Sequence, residues 1–462
     1  MENRYDVVKK VIIQQIESGR LKPGSKLPSI RKLAEELKVC NATVIHAYKK
    51  LEQENIIYSV AKSGYYAMKP NNTVGKAYCL QITELSRAVP APNLLPYVEF
   101  KSCLEQAIDS YKESLFTYSN PQGFEALRNT LIRYYRQDQI FTQEQNMVIT
   151  AGAYQALFIL AKMPFPNGSP HILVEQPTYS GMLRILNLER ISAIGIERDR
   201  QGIDLDKLET IFRGGNIKFF YLMPRFQNPT GFTYGREQKE SILKLAAKYN
   251  VYIVEDDYLA DLETNTRNDS LFAMSQASNI IYLRSFSKSL LPGIRVASVI
   301  LPDLLVNDFV KHKMLCDIGN STMNQAALQL FISSGMFEKH SKCIRKEYES
   351  KMDEMKLYTE AASRLGLTFS VPHTGFFSYL EFPKNVSSNK LAGLLKSNNI
   401  HLARTEEMFI PCFFKDNALR ISVCSLEKNA IAPSMALTLE LIEKTMKSAV
   451  QSTARHEEIL IQ

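Results

Sequence analysis

Five short apolar stretches of this chain each run straight into a cluster of polar residues. Residues 148–150 lead into Ala151-Gly152-Ala153-Tyr154, and residues 172–175 into Gln176-Pro177-Thr178-Tyr179. Residues 219–223 lead into the loop from Pro224 to Gly231, and residues 251–254 into Glu255-Asp256-Asp257-Tyr258. Residues 280–283 complete the set and lead to Ser285 and beyond. Short apolar runs bounded by turn signals read as buried strands. Alternating with helical periodicity from about residue 79 onward, they predict an α/β fold built on one large sheet. In open sheets of this kind ligands bind beyond the carboxyl ends of the strands. The polar clusters therefore mark a binding edge.

The last cluster carries a lysine on a shaped turn: Ser285-Phe286-Ser287-Lys288-Ser289-Leu290-Leu291-Pro292-Gly293-Ile294-Arg295. Such an amine forms a Schiff base if its surroundings lower its pKa. Ser285, Ser287 and Arg295 are suitable donors for a phosphate. Gly152, between a strand and a helix, leaves free N–H groups at the helix start, a second place for a phosphate. One amine plus a phosphate cradle points to pyridoxal 5'-phosphate (PLP). That cofactor also needs an anion for its ring nitrogen and a flat face over its ring.

The first 69 residues differ in character. Periodicity predicts a helix over 5–17, with Val7, Val8, Val11, Ile12 and Ile16 on one face. A loop fixed by Pro23, Gly24 and Pro28 follows, and Ser29 is placed to cap a short helix over 30–37. A longer helix over 41–54 has Val44, Ala47, Tyr48 and Leu51 on its apolar face. Residues 56–60 and 65–68 read as a hairpin around Lys62-Ser63-Gly64. Three helices and a hairpin make a winged helix-turn-helix. The chain has a net charge of +8, and residues 1–69 supply most of it, with 13 Lys and Arg against 7 Asp and Glu. A basic small domain beside a near-neutral large one implies an acidic partner, double-stranded DNA above all.

Residues 70–79 are polar, without periodicity, and read as a linker. The α/β domain spans 80–450, with a smaller C-terminal lobe from about 335. The seven cysteines are scattered, without C-x-x-C, which indicates reduced thiols in a cytoplasm and neither a disulfide frame nor a metal site. No stretch approaches a membrane span, and the start has no apolar signal core.

Two resemblances sharpen this picture. The run G-R-L-K-P-G-S-K-L-P-S-I-R-K-L-A-E-E-L-K-V, then T-V-x-x-A-Y-x-x-L-E, then S-G-Y-Y, resembles the DNA-binding domain of GntR-type regulators. The resemblance implies that Ser29, Arg31, Lys32 and Thr43 approach DNA, that the helix from Asn41 enters the major groove, and that Lys62 and Gly64 form the wing. Cys40-Asn41 stands where that family commonly has Ser-Arg, so its site preference does not transfer.

Residues 80–450 resemble fold-type I aminotransferases, PLP-dependent transferases with a large mixed sheet domain and a small C-terminal lobe. The resemblance implies that Lys288 forms the Schiff base and that Asp256, with Asp257 the neighbouring alternative, pairs with the ring nitrogen. It gives the phenolic oxygen to Asn228 and Tyr258, and stacking on the ring to Tyr179. The phosphate falls to the Ala153 and Tyr154 amides, Ser285, Ser287 and Arg295, with Tyr118 reaching the phosphate of a partner subunit. Arg420 clamps a ligand carboxylate.

A winged helix of the first kind fused to a domain of the second resembles the MocR-type regulators. That implies a cytoplasmic, PLP-dependent transcriptional regulator, a head-to-tail homodimer that senses a small amino compound or PLP itself. Asn228 departs toward the enzymes, since many of these regulators lack that asparagine. The alternative is therefore an active aminotransferase.

Overall fold

The computed structural model describes residues 4–18, 20–22, 24–53, 56–60, 63–68, 83–275, 279–384 and 386–460. They fall into two compact units, Met1–Leu80 and Gln81–Gln462. Lys62 and the linker at 70–79 lie outside the described residues.

The first unit has helices Arg4–Glu17, Ile30–Glu36 and Asn41–Gln53, then antiparallel strands Ile57–Val60 and Gly64–Ala67. This is the winged helix-turn-helix that the periodicity predicts. Its core is Val8, Ile12, Leu33, Val44, Ala47, Tyr48, Leu51, Ile57 and Ala67. The helical members recur three or four apart, so each helix buries one stripe. Ser29 caps the second helix, its Oγ accepting the Lys32 N–H at 3.3 Å. Tyr48, fully buried, donates its hydroxyl to the Pro28 carbonyl at 2.9 Å and so ties the third helix to the proline loop.

In the second unit an eight-stranded sheet runs in the order Met147–Thr150, Ala297–Ile300, Ile280–Ser285, Tyr252–Asp256, Ile217–Leu222, His171–Gln176, Ala193–Asp199, Gly202–Ile203. Ala297–Ile300 and Gly202–Ile203 run against the rest. The other six share one direction. The central strands Ile217–Leu222, Tyr252–Asp256 and Ile280–Ser285 are buried at every position. That suits strands covered by helices on both faces. Side chains alternate between two cores: Phe219, Tyr221, Val254 and Leu283 face one, while Phe220, Leu222, Ile253 and Ile280 face the other.

Register aligns the strand ends. Leu283 pairs with Asp256, Leu222 with Glu255, and Ala297 sits between Thr150 and Ser285. The polar clusters read from the sequence therefore share one edge of the sheet.

The small lobe is a five-stranded sheet in the order Thr368–Ser370, Phe377–Glu381, Ala418–Ser422, Ile400–Arg404, Thr83–Leu85. Its last strand comes from the start of the domain and runs parallel to its neighbour, with Ile400 beside Thr83. Leu85 joins Met352, Leu380, Leu391, Leu419, Ile421 and Ile431 in the core of this lobe. Among the described residues no helix is long and apolar enough to cross a membrane. No group of three or more His, Cys, Asp or Glu among them could hold a metal ion.

Candidate cofactor site

Lys288 stands on the turn after strand Ile280–Ser285, held by the buried side chains of Phe286 and Leu290 on either side. Its Nζ donates to the Ala88 carbonyl at 2.5 Å. Burial lowers its pKa, Cys424 works against this, and Arg420 and Arg295 add to it. A neutral amine is the form that attacks a carbonyl.

The two aspartates beyond Val254 have different surroundings because successive strand residues face opposite sides. Asp257 is gripped by Arg225 through both carboxylate oxygens, with Nε donating at 3.1 Å, and accepts the Tyr282 hydroxyl at 2.8 Å. Burial alone would raise its pKa, but the guanidinium of Arg225 holds it below the usual carboxylate value. Asp256, 4% exposed, accepts only the Tyr221 hydroxyl, at 2.8 Å on Oδ2. Its Oδ1 is buried with no hydrogen-bond partner among the described residues. Burial pushes its pKa up to about 7. A buried carboxylate with a free oxygen calls for a cationic donor. A protonated pyridine nitrogen is such a donor, whereas Asp257 already has a cationic partner in Arg225.

The phosphate donors meet through the Thr150–Ala297–Ser285 row. Gly152 has φ +84° and precedes helix Ala153–Lys162. A side chain at 152 would press on the movable Arg295 guanidinium, and the positive φ is what favours glycine there. Arg295, itself at φ +52°, donates to Ser287 Oγ at 3.2 Å and to the Ala151 carbonyl at 3.1 Å. Ser285 Oγ accepts the Ser287 N–H at 3.3 Å. No side chain caps the helix start, which leaves the Ala153 and Tyr154 amides to an outside acceptor. Neither of these Arg295 bonds goes to a carboxylate. Tyr179 stands over Gly181, where a side chain would strike its ring. Burial raises its pKa, and the Asp256 charge adds to this.

Arg420 reaches in from the small lobe. Its Nη1 donates to Asn228 Oδ1 at 2.9 Å and its Nη2 to the Ser86 carbonyl at 2.7 Å. The guanidinium lies over the Phe377 ring at 4.3 Å. Its Nε is buried with no acceptor among the described residues. Burial pushes its pKa down to about 10. A half-buried cation with no carboxylate partner among the described residues is prepared for an acidic ligand group.

Tyr258 and Tyr118 stand apart from these groups. Tyr258 donates its hydroxyl to the Phe226 carbonyl at 2.6 Å, so that proton is engaged within the protein. Tyr118 is 87% exposed and takes no part in the cradle of its own chain. Tyr221 and the segment 86–88 were not foreseen. Tyr221 reads as one more core aromatic, and only the strand register shows that it shares a face with Asp256. Segment 86–88 has no motif.

In the first unit Ser29, Arg31, Lys32 and Asn41 are exposed, Thr43 and Gly64 half-buried. Ser29 already caps its helix, and Thr43 Oγ1 lies 3.0 Å from Cys40 Sγ.

Comparison with known proteins gives two matches in one chain. Residues 4–66 match the bacterial regulatory proteins of the gntR family, and residues 92–433 match aminotransferase class I and II. An uncharacterized HTH-type transcriptional regulator of Bacillus subtilis, YcxD, is 36% identical over 434 residues, 93% of this chain and 97% of that protein. This chain belongs to the MocR-type regulators. The 2-aminoadipate transaminase of Thermus thermophilus is 28% identical to this MocR-type chain over 361 residues, 76% of this chain and 87% of that enzyme. The Pyrococcus horikoshii kynurenine aminotransferase, solved with PMP, aligns with a TM-score of 0.73 and 25% identity over 80% of this chain and 92% of that one. On the geometry above, the residues present fit PLP: an amine, a free buried carboxylate oxygen, a phosphate cradle and an aromatic face.

Proposed function

We propose that this MocR-type protein is a PLP-dependent transcriptional regulator that binds a DNA site and senses a small amino compound carrying a carboxylate. The observation that carries the effector class is Arg420, whose Nε is buried with no hydrogen-bond partner among the described residues and whose charge acts on Lys288. When bound, PLP supplies an electrophilic carbon and an electron-poor ring. Lys288 would hold that carbon, and Asp256 would accept a hydrogen bond from the ring N–H and keep the nitrogen protonated. Ser285, Ser287, Arg295 and the Ala153 and Tyr154 amides take the phosphate, and Tyr179 covers the ring. Asn228 and Tyr258 border the phenolic oxygen. Arg420 fixes the effector carboxylate with two parallel donors. Because Arg420 belongs to the small lobe and Asn228 to the large one, ligand binding at this pair bears on the angle between lobes. Gly335, at φ +79° before helix Met336–Lys356, is the hinge in this reading. The protein works in the cytoplasm as a head-to-tail homodimer in which the exposed Tyr118 reaches the partner's phosphate site.

Arg420→Ala is expected to abolish the response to carboxylate-bearing amines while PLP remains bound. A charged bidentate contact is worth about 1.5–3 kcal/mol, roughly tenfold to a hundredfold in affinity. Effector titrations that match the wild type would assign sensing to PLP itself.

DNA binding is the direct test of the regulator. The full chain is expected to select a specific sequence, with affinity falling with salt at a log–log slope of about −0.9 per phosphate contacted. Arg31→Ala and Lys62→Ala should weaken binding to all sequences alike. Asn41→Ala should relax preference at one base per half-site, by about 1–3 kcal/mol, because an amide at the start of a recognition helix reads adenine. The measurement is site selection on these proteins at fixed salt. No DNA binding by the wild type, with or without PLP, would leave the aminotransferase reading. That second reading has the N-P-T-G asparagine, Asn228, in its favour, and single-turnover release of a keto acid from an amino donor would establish it.

A further inference from the structure

One segment crosses the cofactor site without a role assigned above. After strand Thr83–Leu85 the chain runs through Ser86, Arg87 and Ala88, and their three consecutive carbonyls each accept a side-chain bond. Ser86 accepts from Arg420 Nη2 at 2.7 Å, Arg87 from Ser422 Oγ at 2.6 Å, and Ala88 from Lys288 Nζ at 2.5 Å. The near end is held as well, since the Ser86 N–H donates to Glu84 Oε1 at 3.0 Å and Ser425 Oγ to the Glu84 carbonyl at 3.2 Å.

Two of the three donors are the groups that ligands must use. A lysine nitrogen joined to a carbonyl carbon becomes trigonal and keeps at most one N–H, so it cannot serve Ala88 as an ammonium group does. A guanidinium offers a carboxylate two parallel donors either end-on through Nη1 and Nη2 or side-on through Nε and Nη2. Both arrangements use an N–H of Nη2, and Ser86 holds one of its two. Nε is unengaged, so the side-on fork meets Ser86 only at Nη2.

We propose that residues 86–88 are a built-in competitor for the site, a strap pinned by Lys288 and Arg420 and released when PLP and a carboxylate ligand take those groups. The proposal rests on the reading of Lys288 and Arg420 as ligand-holding groups and is independent of DNA binding. It also names a route for regulation. Within the site, the strap is the stretch nearest in sequence to the DNA-binding unit.

Trypsin reads the strap directly, because the bond after Arg87 lies within it and the Arg87 side chain is 72% exposed. The full-length protein is digested briefly with and without PLP, and the peptide beginning at Ala88 is followed by mass spectrometry. PLP is expected to speed cleavage after Arg87 severalfold. Ser422→Ala removes one pin without touching cofactor or effector. It should speed that cleavage without PLP and tighten PLP binding about fivefold, the equilibrium equivalent of one hydrogen bond. A purely structural serine would weaken PLP binding instead. PLP bound at Lys288 with cleavage unchanged would overturn the strap alone, as would a folded Ser422→Ala protein with unaltered or weaker PLP affinity. If the variant is unstable, the wild-type comparison decides. No PLP binding by the wild type would overturn the cofactor reading and the strap together.

Discussion

Lys288→Ala is expected to carry no covalent cofactor after incubation with PLP and reduction with borohydride, while the wild type retains one modification at Lys288. The prediction does not rest on basicity. Four other lysines, Lys218, Lys239, Lys313 and Lys351, are also buried and have lowered pKa values. Their surroundings exclude them. Lys218 donates to the Ala161 and Met163 carbonyls, both at 2.9 Å. Lys239 donates to Asn268 Oδ1 and the Asp269 carbonyl, and Lys351 pairs with Glu347. Lys313 is enclosed on helix Asp303–Cys316. Only Lys288 has Ser285, Ser287 and Arg295 beside it to anchor a phosphate while the imine forms, and that placement is what converts a slow encounter into a fixed one. Peptide mapping of the reduced protein is the measurement. A reduced adduct on another lysine in the variant would overturn the assignment.

The second large effect separates two adjacent carboxylates. Asp256→Ala should leave the fold intact and lose PLP, because Tyr221 is its only hydrogen-bond partner among the described residues and its free oxygen is the one suited to the ring nitrogen. Asp257→Ala should do the reverse. It leaves Arg225 buried and unpaired, and breaking such a pair costs about 3–5 kcal/mol. Chemical denaturation should therefore show a large loss for Asp257→Ala and a small one for Asp256→Ala. PLP titration at low temperature should rank the two proteins the other way. Equal stability losses, or a greater loss of PLP at Asp257, would show that the ring-nitrogen partner is misassigned.

The choice between these two aspartates shows how far the sequence alone reaches. Strand ends, Lys288 and the winged helix were legible because each is local: apolar runs, a turn and a 3.6-residue period suffice. Asp256 and Asp257 are indistinguishable on those terms. Their difference comes from Arg225 and Tyr282 on one face and Tyr221 on the other, three residues set by strand register and loop return. Nor could the sequence show that the Phe226 carbonyl, from a residue with φ +49°, accepts the Tyr258 hydroxyl. The strap was illegible for a plainer reason. Its bonds use backbone carbonyls, which every residue possesses, so Ser86-Arg87-Ala88 carries no side-chain signature. Position in space alone gives it meaning.

The strand Thr83–Leu85 has a practical consequence for dissecting the protein. Its partner Ile400–Arg404 is hydrogen-bonded to it on one side and to Ala418–Ser422 on the other. A fragment beginning at Pro90 would strip that partner of its outer neighbour and leave a bare row of backbone donors and acceptors, the template on which chains aggregate. It would also open the core around Leu85, which is fully buried. An excised sensor domain that stays soluble must therefore start upstream of Thr83, and the residues joining the two units are better kept with the sensor than with the DNA-binding piece.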